Sequence, residues 1–263
     1  MEEIKKQKQH VVLVHGACHG AWCWYKVTTL LRSQGHRVTA LDMAAAGANT
    51  KPLAEVTTFS DYSQPLMEFM EALPEEERVV LVGHSMGGIS ISLAMEKYPK
   101  KIDVAVFVTA FMPGPNLIVQ TIRQEYERQV ETFLDCQVSF SNGEDKPPTS
   151  FLLGPKFMSS HLYQLSPPED LTLATSLVRP IGRYQDAPDL LKETRLSEEN
   201  YGSVRRVYVI CEQDYVLRKG FQEWMIENNP THEVKMIHDA DHMVMFSKPQ
   251  ELCLCLQQII GNQ

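Results

Sequence analysis

The stretch VVLVGHSMGGISISLAMEKYP, Val79 to Pro99, runs four β-prone apolar residues straight into Gly-His-Ser-Met-Gly-Gly, then into a helix-like segment that stops before a proline. Valine packs well on a buried pleated sheet, and Ile89, Leu93 and Ala94 recur at helical spacing. The segment therefore reads as buried strand, sharp turn, buried helix. Gly83-His84-Ser85-Met86-Gly87 fits G-x-S-x-G, the pattern of a serine carried on a strained strand-to-helix turn. Side chains two residues either side of such a serine would collide, so the pattern needs glycine at both places. Ser85 then stands at a helix N-terminus, where the Met86 N–H can face a developing oxyanion. As a bare pattern the motif is expected roughly 0.1 times by chance in a chain of this length. The strand and helix around it carry the reading against a plain glycine-rich turn whose serine caps a helix. We read Ser85 as a nucleophile.

Working outward, similar apolar runs occur at HVVLVHG (10–16), HRVTALD (36–42), VAVFVTA (104–110), RRVYVIC (205–211) and EVKMIH (233–238). Helix-like segments such as 24–33 and 62–72 lie between the early ones. Near-continuous apolar strands alternating with helices predict an α/β fold with a mostly parallel sheet covered on both faces. From about Phe111 to Leu191 the rhythm breaks into a proline-rich region with an SNGEDKPP turn (141–148) and helical stretches such as 166–177. The expected organisation is a core of 1–110 plus 190–263 with a mainly helical cap insertion, 111–189. Such an insertion stands over the C-terminal strand ends, where open α/β sheets place ligands.

The 263 residues include 43% hydrophobic and 22% charged side chains, enough for a sizeable core. A formal charge of −8 and the lack of a basic block argue against nucleic acid and anionic membrane as partners. MEEIKKQKQH lacks the apolar stretch of a signal peptide, and no run approaches a membrane span. A soluble, cytoplasmic protein is the expectation. Its six cysteines, at 18, 23, 136, 211, 253 and 255, follow no disulfide framework. Cys253 and Cys255 invite a redox reading, but i, i+2 neighbours do not face each other on a helix, and core packing fits better.

A serine nucleophile needs a base and an orienting acid, here in the order Ser, Asp or Glu, His. His242, in HDADHM after the last strand-like run, is the chosen base. His238 is its rival, although a place in the strand suits a packed or hydrogen-bonded core histidine. His84 neighbours the serine but should point away from it, and His15 precedes it in sequence. Asp214, just past VYVICEQ, is the chosen acid, with Glu212 second. Asp239 and Asp241 lie too near His242 in sequence to reach its Nδ1 and read as turn or capping residues. The loop after the first strand, in VVLVHGACHGAW, offers the second oxyanion donor: Gly16 leaves room and the Ala17 N–H converges with that of Met86. His238 and His242 are also spaced for a helical metal site, but the segment reads as loop and lacks a third ligand cluster. No metal and no cofactor are expected.

VLVHGACHGAWCWYK, GHSMGG, LAMEKYP, VFVTAFMP, GPKF…LYQLSPPEDL…LVRP, YGSVRRVYVIC and DADHMVMFSKPQEL resemble the plant methylesterase and hydroxynitrile lyase family of α/β-hydrolases, along nearly the whole chain. The resemblance implies a cytosolic, cofactor-free enzyme, commonly a homodimer, with a helical cap over a mostly apolar pocket. Its esterases hydrolyse methyl esters of salicylate, jasmonate, indole-acetate or alkaloid acids. Carried over, Ser85, Asp214 and His242 match the triad, and Ala17 and Met86 match the oxyanion pair. Gly16, Ala17, Tyr126, Phe133, Phe151 and Met243 fall where the family meets its substrate. The lyases carry threonine at the place of Gly16 and lysine at that of Met243, so lyase chemistry lacks its charge for departing cyanide here. The segment from MPGPN to LVRP resembles the methylketone-synthase branch more closely still. That branch loses the serine and decarboxylates β-keto acids, whereas Ser85, Gly16 and Asp214 are kept here.

After LVRP the family usually has a small pair, then leucine and an aromatic; here Ile181-Gly182-Arg183-Tyr184 stands instead. Arg183 is read either as a solvent-facing cap residue or as part of the pocket wall, favouring a more oxygenated or anionic substrate. The leading expectation is a serine carboxylesterase for small methyl esters, through an acyl-enzyme. Its rivals are a β-keto or β-aldehyde ester hydrolase whose product loses CO2, a hydroxynitrile lyase, and a ligand-sensing receptor on the same fold.

Overall fold

The structure, a computed structural model, describes residues 8–184 and 190–261. Most of the charged N-terminal stretch and the last five residues of the expected insertion therefore lie outside the described residues. Six strands form the main sheet: β1 (His10–Val14), β2 (Arg37–Leu41), β3 (Val79–Ser85), β4 (Ile102–Ala110), β8 (Arg206–Cys211) and β9 (Glu233–Ile237). They coincide with the six apolar runs of the sequence. Their order is β2-β1-β3-β4-β8-β9 and every pairing is parallel. Every residue of β1, β3 and β8 is buried, as sheets covered on both faces require.

The helices are α1 (Tyr25–Ser33), α2 (Phe59–Ala72), α3 (Gly87–Lys97), α4 (Val119–Gln129), the short α5 (Pro155–Phe157), α6 (Pro168–Leu177), the short α7 (Leu190–Glu193), α8 (Lys219–Asn228), the short α9 (Val244–Ser247) and α10 (Pro249–Gly261). The connections β1-α1-β2 and β3-α3-β4 cross the sheet in opposite directions, so right-handed crossovers place α1 and α3 on opposite faces. α1 packs on α10, and α2 on α3. Helix α2 starts three residues before the apolar pattern suggested, at Phe59. A reciprocal capping box explains this: Thr58 accepts from Asp61 N–H, and the Asp61 carboxylate accepts from Thr58 N–H. In the middle of the chain α4, α5 and α6 are joined by a small antiparallel sheet of β5 (Gln137–Ser139), β6 (Ser150–Leu152) and β7 (Ile181–Gly182). Cys253 and Cys255 are buried in α10, and all six cysteines are free thiols. No described helix is long and apolar enough to cross a membrane.

Register places the site. The chain moves from β1 to one side of the sheet and returns to β3 on the other, which makes the β1/β3 edge a topological switch point. Val14 pairs with Gly83, so the residues two positions further on, Gly16 and Ser85, emerge side by side. A Cβ on Gly16 would lie 2.8 Å from Ser85 Cβ. The glycines around the turn have different tasks. A Cβ on Gly83 would meet the Gly87 carbonyl at 2.9 Å, whereas one on Gly87 would meet the Val14 and His15 carbonyls at 2.7 Å. Gly87 is thus required by the neighbouring strand rather than by the opposite end of the motif.

Gly88 is tighter still, because its Cβ would stand 2.1 Å from the Phe111 carbonyl. Gly88→Ala is expected to push α3 off the end of β4 and to lower unfolding free energy by about 3 kcal/mol. A urea midpoint unchanged from the wild type would contradict this.

Candidate active site

Ser85 closes β3 with φ at +52°, a left-handed backbone that non-glycine residues enter at a cost of about 1–3 kcal/mol. Helix α3 begins directly behind it, and no side chain caps its N-terminus. Its first N–H groups and their partial positive charge therefore remain directed at the serine end. His242 Nε2 lies 3.1 Å from Ser85 Oγ, and His242 Nδ1 lies 2.7 Å from Asp214 Oδ2. Asp214 is 2% exposed and His242 3% exposed, so the pair is shielded from water. The Val216 and Leu217 N–H groups donate to Asp214 Oδ1 at 2.7 and 2.8 Å. Thr109 Oγ donates to Oδ2, the same oxygen that faces His242.

The rivals for these places pair with one another elsewhere. His238 follows β9 and its side chain is 72% exposed, not packed in the core; its Nδ1 meets Glu212 Oε2 at 2.9 Å. That hydrogen bond holds the Glu212 carboxyl below its ordinary range. His84 does not point away from the site. Its Nε2–H donates to the His242 carbonyl at 2.8 Å, and the two rings lie 4.7 Å apart. Burial, with His242 alongside, holds His84 well below the usual histidine range and keeps it neutral. Asp239 is a turn residue at φ +51°. Asp241 is more than that: fully buried, it accepts from Leu165 N–H, Ser166 Oγ and Ser247 Oγ at 2.7 to 3.0 Å. Among the described residues no three His, Cys, Asp or Glu side chains cluster as a metal site would.

Above Ser85 lies a cavity of about 450 Å³, within the range of small-molecule sites. Gly16, Ala17, Met86, Tyr126, Phe133, Phe151, Arg183 and Met243 all line it. Phe133 and Phe151 meet edge to face at 6.0 Å, Tyr126 packs against Phe111 at 5.5 Å, and Met243 is fully buried. Arg183 is half-buried in the wall just after β7, its N–H bonded to the Thr149 carbonyl at 3.0 Å.

Residues 11–253 match the alpha/beta hydrolase family. The chain belongs to that family. It is 56% identical to methyl jasmonate esterase 1 of Vitis vinifera over 260 residues, 98% of this chain and 99% of that protein. It is 47% identical to polyneuridine aldehyde esterase of Rauvolfia serpentina, over 97% of this chain and 96% of the other. A crystal structure of tomato methylketone synthase I with 2-tridecanone superposes with a TM-score of 0.93 at 50% identity, covering 97% of this chain and 99% of that one.

Several residues of this alpha/beta hydrolase site escaped sequence reasoning. Thr109 had a visible signal, as the one polar residue within the apolar run VAVFVTA. The hydroxyl of Tyr208 accepts from Ala110 N–H at 3.1 Å and donates to its carbonyl at 2.9 Å, anchoring the end of β4 beside Thr109. Arg123 and Glu127 pair at 2.8 Å on α4 and, beside Arg183, add ionic groups to a mostly apolar cavity wall. An i, i+4 ion pair on a helix normally signals a solvated face, so nothing local distinguishes it.

Proposed function

We propose that this chain is a serine carboxylesterase that hydrolyses methyl esters of small hormone-like or specialised-metabolite acids. The observation that carries the reading is the hydrogen-bonded line Ser85–His242–Asp214 at the floor of a largely apolar cavity. Ser85 Oγ attacks the ester carbonyl carbon while His242 Nε2 takes its proton. Asp214 holds the Nδ1–H tautomer and stabilises the imidazolium. The Ala17 and Met86 N–H groups receive the tetrahedral oxyanion. His242 then protonates the departing methanol, and a water deprotonated by the same nitrogen releases the acid and restores Ser85. Gly16 supports this assignment, since a side chain there would press on Ser85 itself.

Residues 111–189 act as the cap over the cavity: α4 and the small sheet contribute Tyr126, Phe151 and Ile181 to its wall. The relatives named for jasmonate and alkaloid aldehyde esters support a methyl ester of that size. The likeness to methylketone synthase supports a variant in which a β-keto or β-aldehyde ester is hydrolysed and the freed acid loses CO2. Lyase chemistry is disfavoured, because buried Met243 supplies no charge for cyanide. A cytoplasmic homodimer is our reading of its setting.

Purified protein should be given methyl salicylate, methyl jasmonate, methyl indole-acetate, a β-keto fatty ester and an alkaloid β-aldehyde ester, with methanol and CO2 counted. Multiple-turnover methanol from one class identifies the substrate. Near-stoichiometric cleavage would instead mark a sensor, and no methanol from any ester would sink the esterase.

Arg183 bears on which ester is taken. Arg183→Leu is expected to lower kcat/KM for the most oxygenated or anionic of the accepted esters about tenfold relative to methyl salicylate, as loss of a charged hydrogen bond would. An unchanged substrate ranking would return Arg183 to the solvent-facing role.

A further inference from the structure

Residues 162–166, Leu-Tyr-Gln-Leu-Ser, touch three of the loops that carry the site. The Met243 N–H donates to the Leu162 carbonyl at 3.2 Å, and Gln164 Nε2 donates to the Gln213 carbonyl at 2.7 Å. Leu165 N–H and Ser166 Oγ both donate to Asp241 Oδ2. Tyr163 OH lies 2.7 Å from His19 Nε2. This one strap thus holds the residues on either side of His242, the residue before Asp214, and the loop that contains Ala17.

The contact with His19 bears most directly on the chemistry. Three consecutive carbonyls of that loop are pinned: Gly16 by His15 Nδ1–H at 2.8 Å, Ala17 by His19 Nδ1–H at 2.8 Å, and Cys18 by the Arg179 N–H at 2.9 Å. A trans peptide is planar, so holding each carbonyl sets the direction of the next N–H. His15 aims the Ala17 N–H, and His19 fixes the following peptide plane. Cys18 is kept at φ +62°, a backbone that persists only where its surroundings over-determine it. The Ala17 N–H itself donates to no described residue.

Because the Ala17 carbonyl accepts from Nδ1, neutral His19 presents a bare Nε2, and the Tyr163 hydroxyl supplies its donor. Both side chains are buried, with the His19 ring stacked against Trp22 at 5.3 Å and Tyr163 at 6.0 Å. Burial holds His19 down at about 3 and Tyr163 well above the usual phenol range, so neither changes charge near neutrality.

We propose that Tyr163 and His19 are positioning residues for the oxyanion hole: the cap tyrosine secures His19, and His19 holds the Ala17–Cys18 peptide, which adjoins the Gly16–Ala17 peptide whose N–H faces the tetrahedral oxygen. The proposal rests on the esterase reading. Without the hydroxyl, Nε2 becomes a buried acceptor with no donor, and turning the ring to relieve it releases the Ala17 carbonyl. Removing a whole oxyanion donor slows an enzyme by about 100- to 1000-fold, so misaiming one should be milder.

The test uses a trifluoromethyl alkyl ketone, which forms a tetrahedral adduct on Ser85, and the methyl ketone of the same chain, which does not. His19→Leu is expected to lower kcat by about 50-fold with KM unchanged, and to weaken the trifluoromethyl ketone by a similar factor and the methyl ketone less than twofold. Tyr163→Phe should show the same split at about tenfold. His19→Asn, whose amide can still donate to the Ala17 carbonyl, should recover most of the loss. If both ketones weaken equally, or neither does in the folded variants, the positioning role is overturned. If the wild type itself forms no adduct, the esterase reading fails first.

Discussion

Ser85→Ala is expected to abolish multiple-turnover methanol release, lowering kcat by about a million-fold, as loss of a member of a unit that acts together does. Binding should survive. Alanine keeps the Cβ that already stands at φ +52°, so it neither adds nor relieves the strain of the turn. The hydroxyl it deletes has one neighbour to lose, His242 Nε2 at 3.1 Å. The N–H groups of Ala17 and Met86, and the walls of the cavity, remain in place. Substrate affinity of the variant should therefore match the wild-type KM within a few-fold, and the melting temperature should change little. Methanol release within tenfold of the wild type would remove Ser85 from the chemistry. CO2 release that persists from a β-keto acid would instead show that decarboxylation proceeds without the serine.

Asp214→Asn is expected to lower kcat by about 10⁴-fold with little change in KM, the effect of the wrong imidazole tautomer. The reason lies in how the carboxylate is surrounded. Asp214 Oδ1 accepts from two backbone N–H groups, Val216 and Leu217, which an asparagine can satisfy only with its carbonyl oxygen. That orientation turns the amide NH2 toward His242 Nδ1. The imidazole must then accept at Nδ1 and carry its proton on Nε2, facing Ser85 Oγ, where it cannot act as a base. Thr109 loses its acceptor in the same step, which locks nothing in return. Glu212→Gln provides the control. Glu212 lies two residues earlier but bonds to exposed His238, so its loss should leave the rate within about twofold. Comparable losses in the two variants would contradict this assignment of the acid.

The outcome for the two acid–histidine pairs shows what kind of information each level holds. Glu212 and Asp214 share one loop after β8, and His238 and His242 share another after β9. In the sequence they are told apart by position relative to the strand-like runs and by resemblance. In three dimensions the pairs sort by side of the loop: one pair at the surface, the other buried beneath the cavity. The two loops leave the sheet side by side, since Cys211 pairs with Ile237 at the end of the β8–β9 ladder. No local pattern encodes that.

The strands, the turn at Ser85, and the lining positions could be read from the chain because their causes are local or inherited by resemblance. Runs of valine and isoleucine form buried parallel strands wherever they lie, and a G-x-S-x-G turn constrains its own backbone. Only the tertiary structure decided that Thr109 sits against Asp214, that Gly88 leaves room for the Phe111 carbonyl, and that Tyr163 reaches His19 across 144 residues. Each of these depends on register and on how the cap lies over the sheet, and such long-range packing has no signature in the neighbouring residues.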